Sequence, residues 1–174
     1  MDSGKTRWLI LIYQLPREPS RHRVSVWRRL KTLGALYLQD GATVLPENAV
    51  TREQFEWLQL KIREVGGEAT LWESQPNTIA ENEALIEAFR ASCEEVFGKI
   101  IEASERLRRR AALGSDGASL LEELGRIERE FRAVRRRDYF RARSRDEAAS
   151  ILRETRLALR DDEGEAGDAG GVVG

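Results

Sequence analysis

The chain has 174 residues, of which 41% are hydrophobic and 34% charged, and its formal net charge is -1. This length fits one ordinary domain or one small domain with a helical extension, and the overall charge gives no general attraction to nucleic acid. Cys93 and His22 are the only cysteine and histidine, which excludes an internal disulfide and a Cys/His zinc cluster. We expect a reducing cytoplasmic location and, because no apolar run is long enough to span a bilayer, no membrane partner.

The first predicted elements are a strand and a helix. The run from Trp8 to Gln14 is apolar on both of its faces, which predicts a central strand covered on both sides. Ser20 is the predicted N-cap of a helix that ends at Gly34. The predicted apolar stripe of this helix consists of Val24, Trp27, Leu30 and Leu33.

A hairpin follows the first helix. Asp40-Gly41 lies between two short apolar runs and predicts a type I′ turn, in which both central residues have positive φ. Thr51 is predicted to open a second helix, with Gln54 completing a capping box. Gly66-Gly67 ends that helix, and the alternation from Glu68 to Ser74 predicts a last strand.

The resulting order, β-α-β-β-α-β, predicts an α+β fold with a ferredoxin-like domain over residues 1–76. Apolar residues at heptad spacing then predict a helical extension of about three helices over residues 77–160. Residues 161–174 are acidic and have no periodicity, which predicts a disordered tail.

Two clusters of arginine interrupt the otherwise balanced charge. Residues 17–31 hold six basic side chains and one acid, and guanidinium groups bind tetrahedral oxyanions and phosphates with two parallel hydrogen bonds. We therefore predict an oxyanion- or phosphate-binding surface, the alternative being a solvated helix face with salt bridges to neighbouring acids. The predicted binding residues are Arg17, Arg21, Arg23, Arg28 and Arg29.

The second cluster lies in residues 126–145, which hold nine arginines and three acids. Arginines beside Tyr139 and Phe140 are typical of a surface that contacts DNA phosphate and stacks on bases. The alternative is a charged helix end whose aromatic rings belong to the core. The candidate DNA contacts are Arg135, Arg136, Arg137, Arg141 and Arg143.

No motif for catalysis stands out. The sequence has no phosphate-binding glycine loop, nucleophile elbow or metal-binding motif. Asp40 would suit a small metal-dependent nuclease, but its Asp-Gly turn already explains the residue. We therefore expect a protein that is not an enzyme, with no catalytic residues, no metal and no cofactor.

One resemblance to a known family covers nearly the whole chain before the acidic tail. The residues that carry it read WLILIYQLPREPS at 8–20, RVSVWRRLKTLGALYLQDGATVLP at 23–46, GGEATLW at 66–72, NEALIEAFR at 82–90 and RRDYF at 136–140. Here the chain resembles the N-terminal domain of the ChrB family of chromate-resistance proteins. Members usually carry a C-terminal domain as well, but the resemblance here is to the N-terminal domain alone. We therefore expect a stand-alone N-terminal module, for which a separate C-terminal-type protein is a candidate partner.

The resemblance implies a stress-response regulator of a chromate-efflux operon that acts on promoter DNA, with chromate or another oxyanion as effector. Two alternatives stay open. One is a dimeric protein-interaction module that pairs through its sheet edge or its heptad helices. The other, less favoured, is a metal-dependent nuclease that uses Asp40.

Overall fold

The computed structural model describes residues 6–114 and 116–168, with side chains described as far as Leu159. Within these ranges the protein is mixed α/β, with four strands and five helices that form two compact units divided between Phe89 and Arg90. The strands are β1 (Trp8–Gln14), β2 (Leu36–Gln39), β3 (Ala42–Pro46) and β4 (Glu68–Ser74). The helices are α1 (Ser20–Leu33), α2 (Ala49–Glu64), α3 (Ile79–Ala112), α4 (Gly117–Arg136) and α5 (Arg145–Asp168).

The first unit is built on an antiparallel sheet with the strand order β2-β3-β1-β4. The bounds predicted for β1 and β4 are confirmed. Helix α2 packs against β1 and β4, and Leu9 and Leu11 on this side of β1 are fully buried. Buried residues of both helices, including Leu30 and Phe55, complete this core. The hydrophobic side chains of β1 thus pack beneath α2.

The opposite face of β1 is covered only where the strand begins. The prediction that both faces are buried is therefore right for the start of β1 and wrong for its end. Trp8 is buried, stacks on Phe89 with 5.5 Å between ring centroids, and donates its indole N–H to Asn82 Oδ1 at 3.0 Å. Four residues further along, Ile12 is 46% exposed. The first turns of α3 therefore cover only the beginning of this face.

The predicted apolar stripe of α1 is confirmed at Leu30 but wrong at Val24 and Trp27. Val26 and Leu30 are the buried residues, whereas Val24 and Trp27 are 43% and 48% exposed. The helix carries two overlapping apolar lines about a third of a turn apart, and only the line through Val26 and Leu30 is buried. Sequence periodicity alone does not say which line a neighbouring element buries.

Both predicted helix starts also need correction. Pro19, in extended conformation, is the N-cap of α1, and Ser20 is the first helical residue, with its N–H 3.2 Å from a Glu18 carboxylate oxygen. The N-cap of α2 is Asn48, which accepts the N–H of Thr51 at 2.9 Å and donates its own N–H to the Thr51 hydroxyl at 3.0 Å. Because asparagine is a stronger cap than threonine, the capping box lies three residues earlier than predicted.

The hairpin between β2 and β3 is confirmed, but its predicted turn type is wrong. Gly41 has φ of 74°, whereas Asp40 does not have positive φ, as a type I′ turn would require. A register shift between Tyr37 and Gln39 accommodates the turn. The Gly41 carbonyl accepts the N–H of Tyr13 at 2.7 Å, which fixes the hairpin to the end of β1.

Three helices follow the sheet, as predicted, and α3 to α5 form the core of the second unit. Cys93, Ile100 and Leu107, which lie at heptad spacing on α3, are all buried in this core, together with Leu124 and Leu152. The heptad stripe therefore packs within the chain. Among the described residues, no helix combines the length and the apolar character needed to cross a lipid bilayer.

The predicted disordered tail overlaps the last helix. The backbone is helical as far as Asp168, so the prediction is wrong for residues 161–168, while residues 169–174 lie outside the described part. Extending a helix that is already formed needs no new nucleus. The glutamates and alanine in this run therefore continue α5 despite the glycines.

Candidate functional site

Among the described side chains, no acid forms an ion pair with the exposed arginines of α1 and its preceding loop. Arg17, Arg21, Arg23 and Arg28 are exposed, and none of them has a carboxylate partner within residues 6–114 and 116–159. The alternative of a solvated face with salt bridges requires such partners. This part of the first unit is therefore a locally positive surface.

Helical geometry places the arginines of α1 on different sides of the helix. Arg21 and Arg28 lie on one line of α1 with Ser25 and Thr32. Arg23 lies roughly 160° from Arg21 and roughly 140° from Arg28 around the helix, at about 100° per residue. There it lines a groove that also includes Tyr13, Trp27, Tyr37 and Asp40. The five predicted residues thus do not form one pocket.

A groove of about 400 Å³ lies between α1 and α2. Arg28 and Arg29 contribute from α1, and Lys61 contributes from α2. No carboxylate is among the lining residues. The others are His22, Ser25, Val26 and Thr32 on α1 with Trp57, Leu58 and Val65 on and after α2.

Arg29 connects the two walls of this groove. Its guanidinium donates to Gln54 Oε1 and lies 5.4 Å from the centroid of the Trp57 ring, and Lys61 Nζ lies 5.8 Å from the same centroid. The buried Nε–H of Arg29 has no acceptor in the described structure. Lys61 also forms an exposed ion pair of 2.7 Å with Glu64. The indole thus holds two cations at the groove through cation–π attraction.

Trp57 and Lys61 were not among the predicted site residues. They are four residues apart on α2 and share a face that is not the buried face of Phe55, Leu58 and Ile62. An aromatic residue with a lysine at helical spacing, placed away from the predicted core, is the sequence signal that would have identified them.

In the second unit, the loop between α4 and α5 carries part of the other arginine cluster. Acidic side chains hold this loop through hydrogen bonds and ion pairs. The buried Asp138 accepts the N–H of Ala142 at 2.8 Å and lies 3.3 Å from Arg145 Nη1. Arg141 has a φ of 52° and forms an ion pair of 2.9 Å with Asp146. Much of the positive charge of this loop is therefore neutralised locally.

Glu94 on α3 is the second acid that binds this loop. Its carboxylate accepts the backbone N–H groups of Arg143 and Ser144 and the Ser144 hydroxyl. Burial opposes ionisation, but these hydrogen bonds outweigh it and hold the pKa of the Glu94 carboxyl below its usual range.

The remaining predicted DNA contacts lie at the end of α4. Arg135 and Arg136 are exposed in its last turn, and Arg137 is the half-buried C-cap, whose carbonyl is 3.8 Å from Cys93 Sγ. Tyr139 is half-buried, and burial raises the pKa of its hydroxyl to about 12. Arg135 and Arg136 are therefore exposed at the helix end, whereas the other candidate DNA contacts lie in a loop held by structural contacts.

Asp40, the residue of the nuclease alternative, is exposed in the hairpin turn. Within residues 6–114 and 116–159, no three His, Cys, Asp or Glu side chains converge as a metal site would require.

The fold and these surfaces define a small α/β protein with a positive helix surface next to a cation-lined groove. The family described as "Protein ChrB, N-terminal" matches residues 23–163, and the chain belongs to this ChrB family. It is 31% identical over 139 residues to Protein ChrB of Cupriavidus metallidurans, a match covering 80% of the chain and 42% of that protein. The chain therefore spans about two fifths of that relative. No solved structure matches it at a significant level.

Proposed function

We propose that the chain is a non-enzymatic regulatory module of the ChrB type that acts in chromate resistance by binding DNA phosphate at the promoter of an efflux operon. Family membership supports the pathway. The unneutralised arginines of α1 support the binding mode. The strand order β2-β3-β1-β4 with antiparallel pairing supports the ferredoxin-like assignment.

The observation that carries the proposal is the exposed line of Arg21, Ser25, Arg28 and Thr32 on one face of α1. Arg21 and Arg28 are seven residues apart, or about 10 Å along the helix axis at 1.5 Å per residue. Double-stranded DNA carries about one charge per 1.7 Å of its axis. Two guanidinium groups at this separation can therefore contact two phosphates of one duplex.

The test is binding to the promoter fragment upstream of the gene for this chain, measured by fluorescence anisotropy at several salt concentrations, with and without chromate. The slope of log K against log salt is negative, and each lost phosphate contact reduces its magnitude by about 0.9. We expect the double substitution Arg21→Gln and Arg28→Gln to reduce the magnitude of the slope by roughly 2 on this rule.

The matched control is Arg106→Gln with Arg109→Gln. These exposed α3 arginines are paired with Glu102 and Glu105 in the same helix, so we expect no change in the slope. Binding that is absent at low salt, or a slope that the α1 variant leaves unchanged, would exclude the proposed surface. An effect of Arg135→Gln with Arg136→Gln instead would move the DNA contact to the end of α4.

A second candidate function is a dimeric interaction module, and one observation favours it. Trp72 is 57% exposed and pairs with Ile10 on the sheet face opposite α2, the same face on which Ile12 of β1 is 46% exposed. Analytical ultracentrifugation tests this reading: a dimer that Trp72→Glu converts to monomer would support it. A monomer at all concentrations would exclude it, because the heptad stripe is already buried within the chain.

A further inference from the structure

We propose that the groove between α1 and α2 binds an organic anion that has an aromatic body and one phosphate or carboxylate group. The proposal shares Arg28 with the proposed DNA surface but does not depend on DNA binding.

The charge of the lining favours an anion. Arg28, Arg29 and Lys61 all line the groove and none of its described lining residues is a carboxylate, although Lys61 also pairs with the exposed Glu64 beside it. Arg29 has an amide oxygen and an indole ring as partners, and its Nε–H has no acceptor. Guanidinium and ammonium groups with unused donors in a concave site favour phosphate or carboxylate oxygens.

The floor of the groove requires more than a bare oxyanion. Val26, Leu58 and Val65 line it beside the Trp57 indole, and aliphatic side chains cannot replace the water that a small anion would lose there. A volume of about 400 Å³ falls in the range of roughly 300–1,000 Å³ that suits drug-sized ligands. An aromatic body on this floor would bury apolar surface while its anionic group meets the cations.

The cations are already positioned. The Trp57 ring holds Arg29 and Lys61 on neighbouring turns of α1 and α2, and Gln54 fixes the guanidinium further. Binding therefore does not have to order these long side chains, and this pre-organisation favours affinity.

The experiment is isothermal titration calorimetry on the full chain with three probes: 1-naphthyl phosphate, 1-naphthol and inorganic phosphate. We expect naphthyl phosphate to bind at least about tenfold more tightly than either fragment, because only it uses both the floor and the cations. Lys61→Gln and Trp57→Ala should each weaken it by about fivefold or more. Chromate is a fourth probe and should behave like phosphate.

The other side of α1 provides matched controls, because Lys31 Nζ lies 5.0 Å from the Trp27 ring centroid outside this groove. Lys31→Gln and Trp27→Ala should leave the affinity for naphthyl phosphate unchanged. Equal binding of phosphate and naphthyl phosphate, equal losses in both pairs of variants, or no binding of any probe would overturn the proposal. If circular dichroism shows that Trp57→Ala does not fold, the exposed Lys61 variant carries the test.

Arg21→Gln separates this inference from the proposed function. Arg21 does not line the groove, so this variant should weaken DNA binding and leave naphthyl phosphate binding intact. Binding of naphthyl phosphate without binding of DNA would support the groove proposal and reject the DNA proposal. Binding of DNA without binding of naphthyl phosphate would support the DNA proposal and reject the groove proposal.

Discussion

Replacing Glu94 by glutamine removes the charge that holds the loop between α4 and α5. The carboxylate accepts two backbone N–H groups, from Arg143 and Ser144, and the Ser144 hydroxyl, immediately before α5 begins. Glutamine keeps the shape but turns one acceptor oxygen into a donor that faces other donors. Hydrogen bonds to charged groups contribute about 1.5–3 kcal/mol each, and Glu94 is half-buried. We therefore expect Glu94→Gln to lower the free energy of unfolding by about 2 kcal/mol at pH 7.

The pH dependence of this loss has a defined sign. The pKa of Glu94 is lowered in the folded state, so the folded protein favours the ionised carboxylate more than the unfolded chain does. The stabilisation is fully present above the usual glutamate value of 4.5 and is lost as the pH falls through the lower folded value. The difference between wild type and Glu94→Gln should therefore shrink as the pH is lowered from about 7 towards about 3.

Urea unfolding followed by circular dichroism measures both effects. Glu95→Gln is the matched control, because the neighbouring Glu95 forms an exposed ion pair with Lys99, and exposed pairs contribute little to stability. A loss for Glu94→Gln no larger than that of the control, or a difference that does not decrease in acid, would refute the assigned role of Glu94.

Two further predictions concern the first unit. Gly41→Ala should destabilise the hairpin by more than about 2 kcal/mol, because a Cβ there would lie 2.6 Å from the Tyr13 carbonyl oxygen as well as at positive φ; urea unfolding measures the loss. Asn82→Ala should cost about 1–3 kcal/mol in the same assay, because it removes the buried acceptor of the Trp8 indole N–H.

Each of these predictions has a control. Gly114 has the same φ of 74°, but a Cβ at this position would have no other atom within 4 Å, so Gly114→Ala should cost only the backbone strain of about 1–2 kcal/mol. Glu83 is exposed next to Asn82, and Glu83→Ala should be nearly neutral. Equal losses at Gly41 and Gly114, or at Asn82 and Glu83, would contradict the contacts to which the effects are assigned.

The strands were predictable because their signals are local. Trp8–Gln14 and Glu68–Ser74 are short apolar or alternating runs between breaking residues, and the structure gives the same bounds. The face of α1 was not predictable in this way, because Val24–Trp27 and Val26–Leu30 are both apolar lines and only tertiary packing selects the one that is buried. The cap at Asn48 was missed because the sequence offers a competing cap at Thr51 three residues later.

The sequence predicts the arginines of the candidate site, but it does not predict how they are arranged in space. The sequence places five arginines near α1, yet Arg23 and Arg28 line different grooves because they lie on different sides of one helix. The partners that complete the α1–α2 groove, Trp57 and Lys61, come from a separate helix that follows the whole hairpin. Such a juxtaposition depends on how two helices pack on the sheet, which no local pattern of residues contains.

The buried thiol of Cys93 has a practical consequence for spectroscopy. Burial, with a further contribution from Asp138, raises its pKa, so the thiolate that reacts with maleimides is scarce at neutral pH. Any second cysteine introduced at an exposed position, such as Ser25→Cys on the arginine line of α1, would therefore be labelled selectively in the native protein. A single fluorophore or spin label could then report on what approaches α1 without first removing the native cysteine.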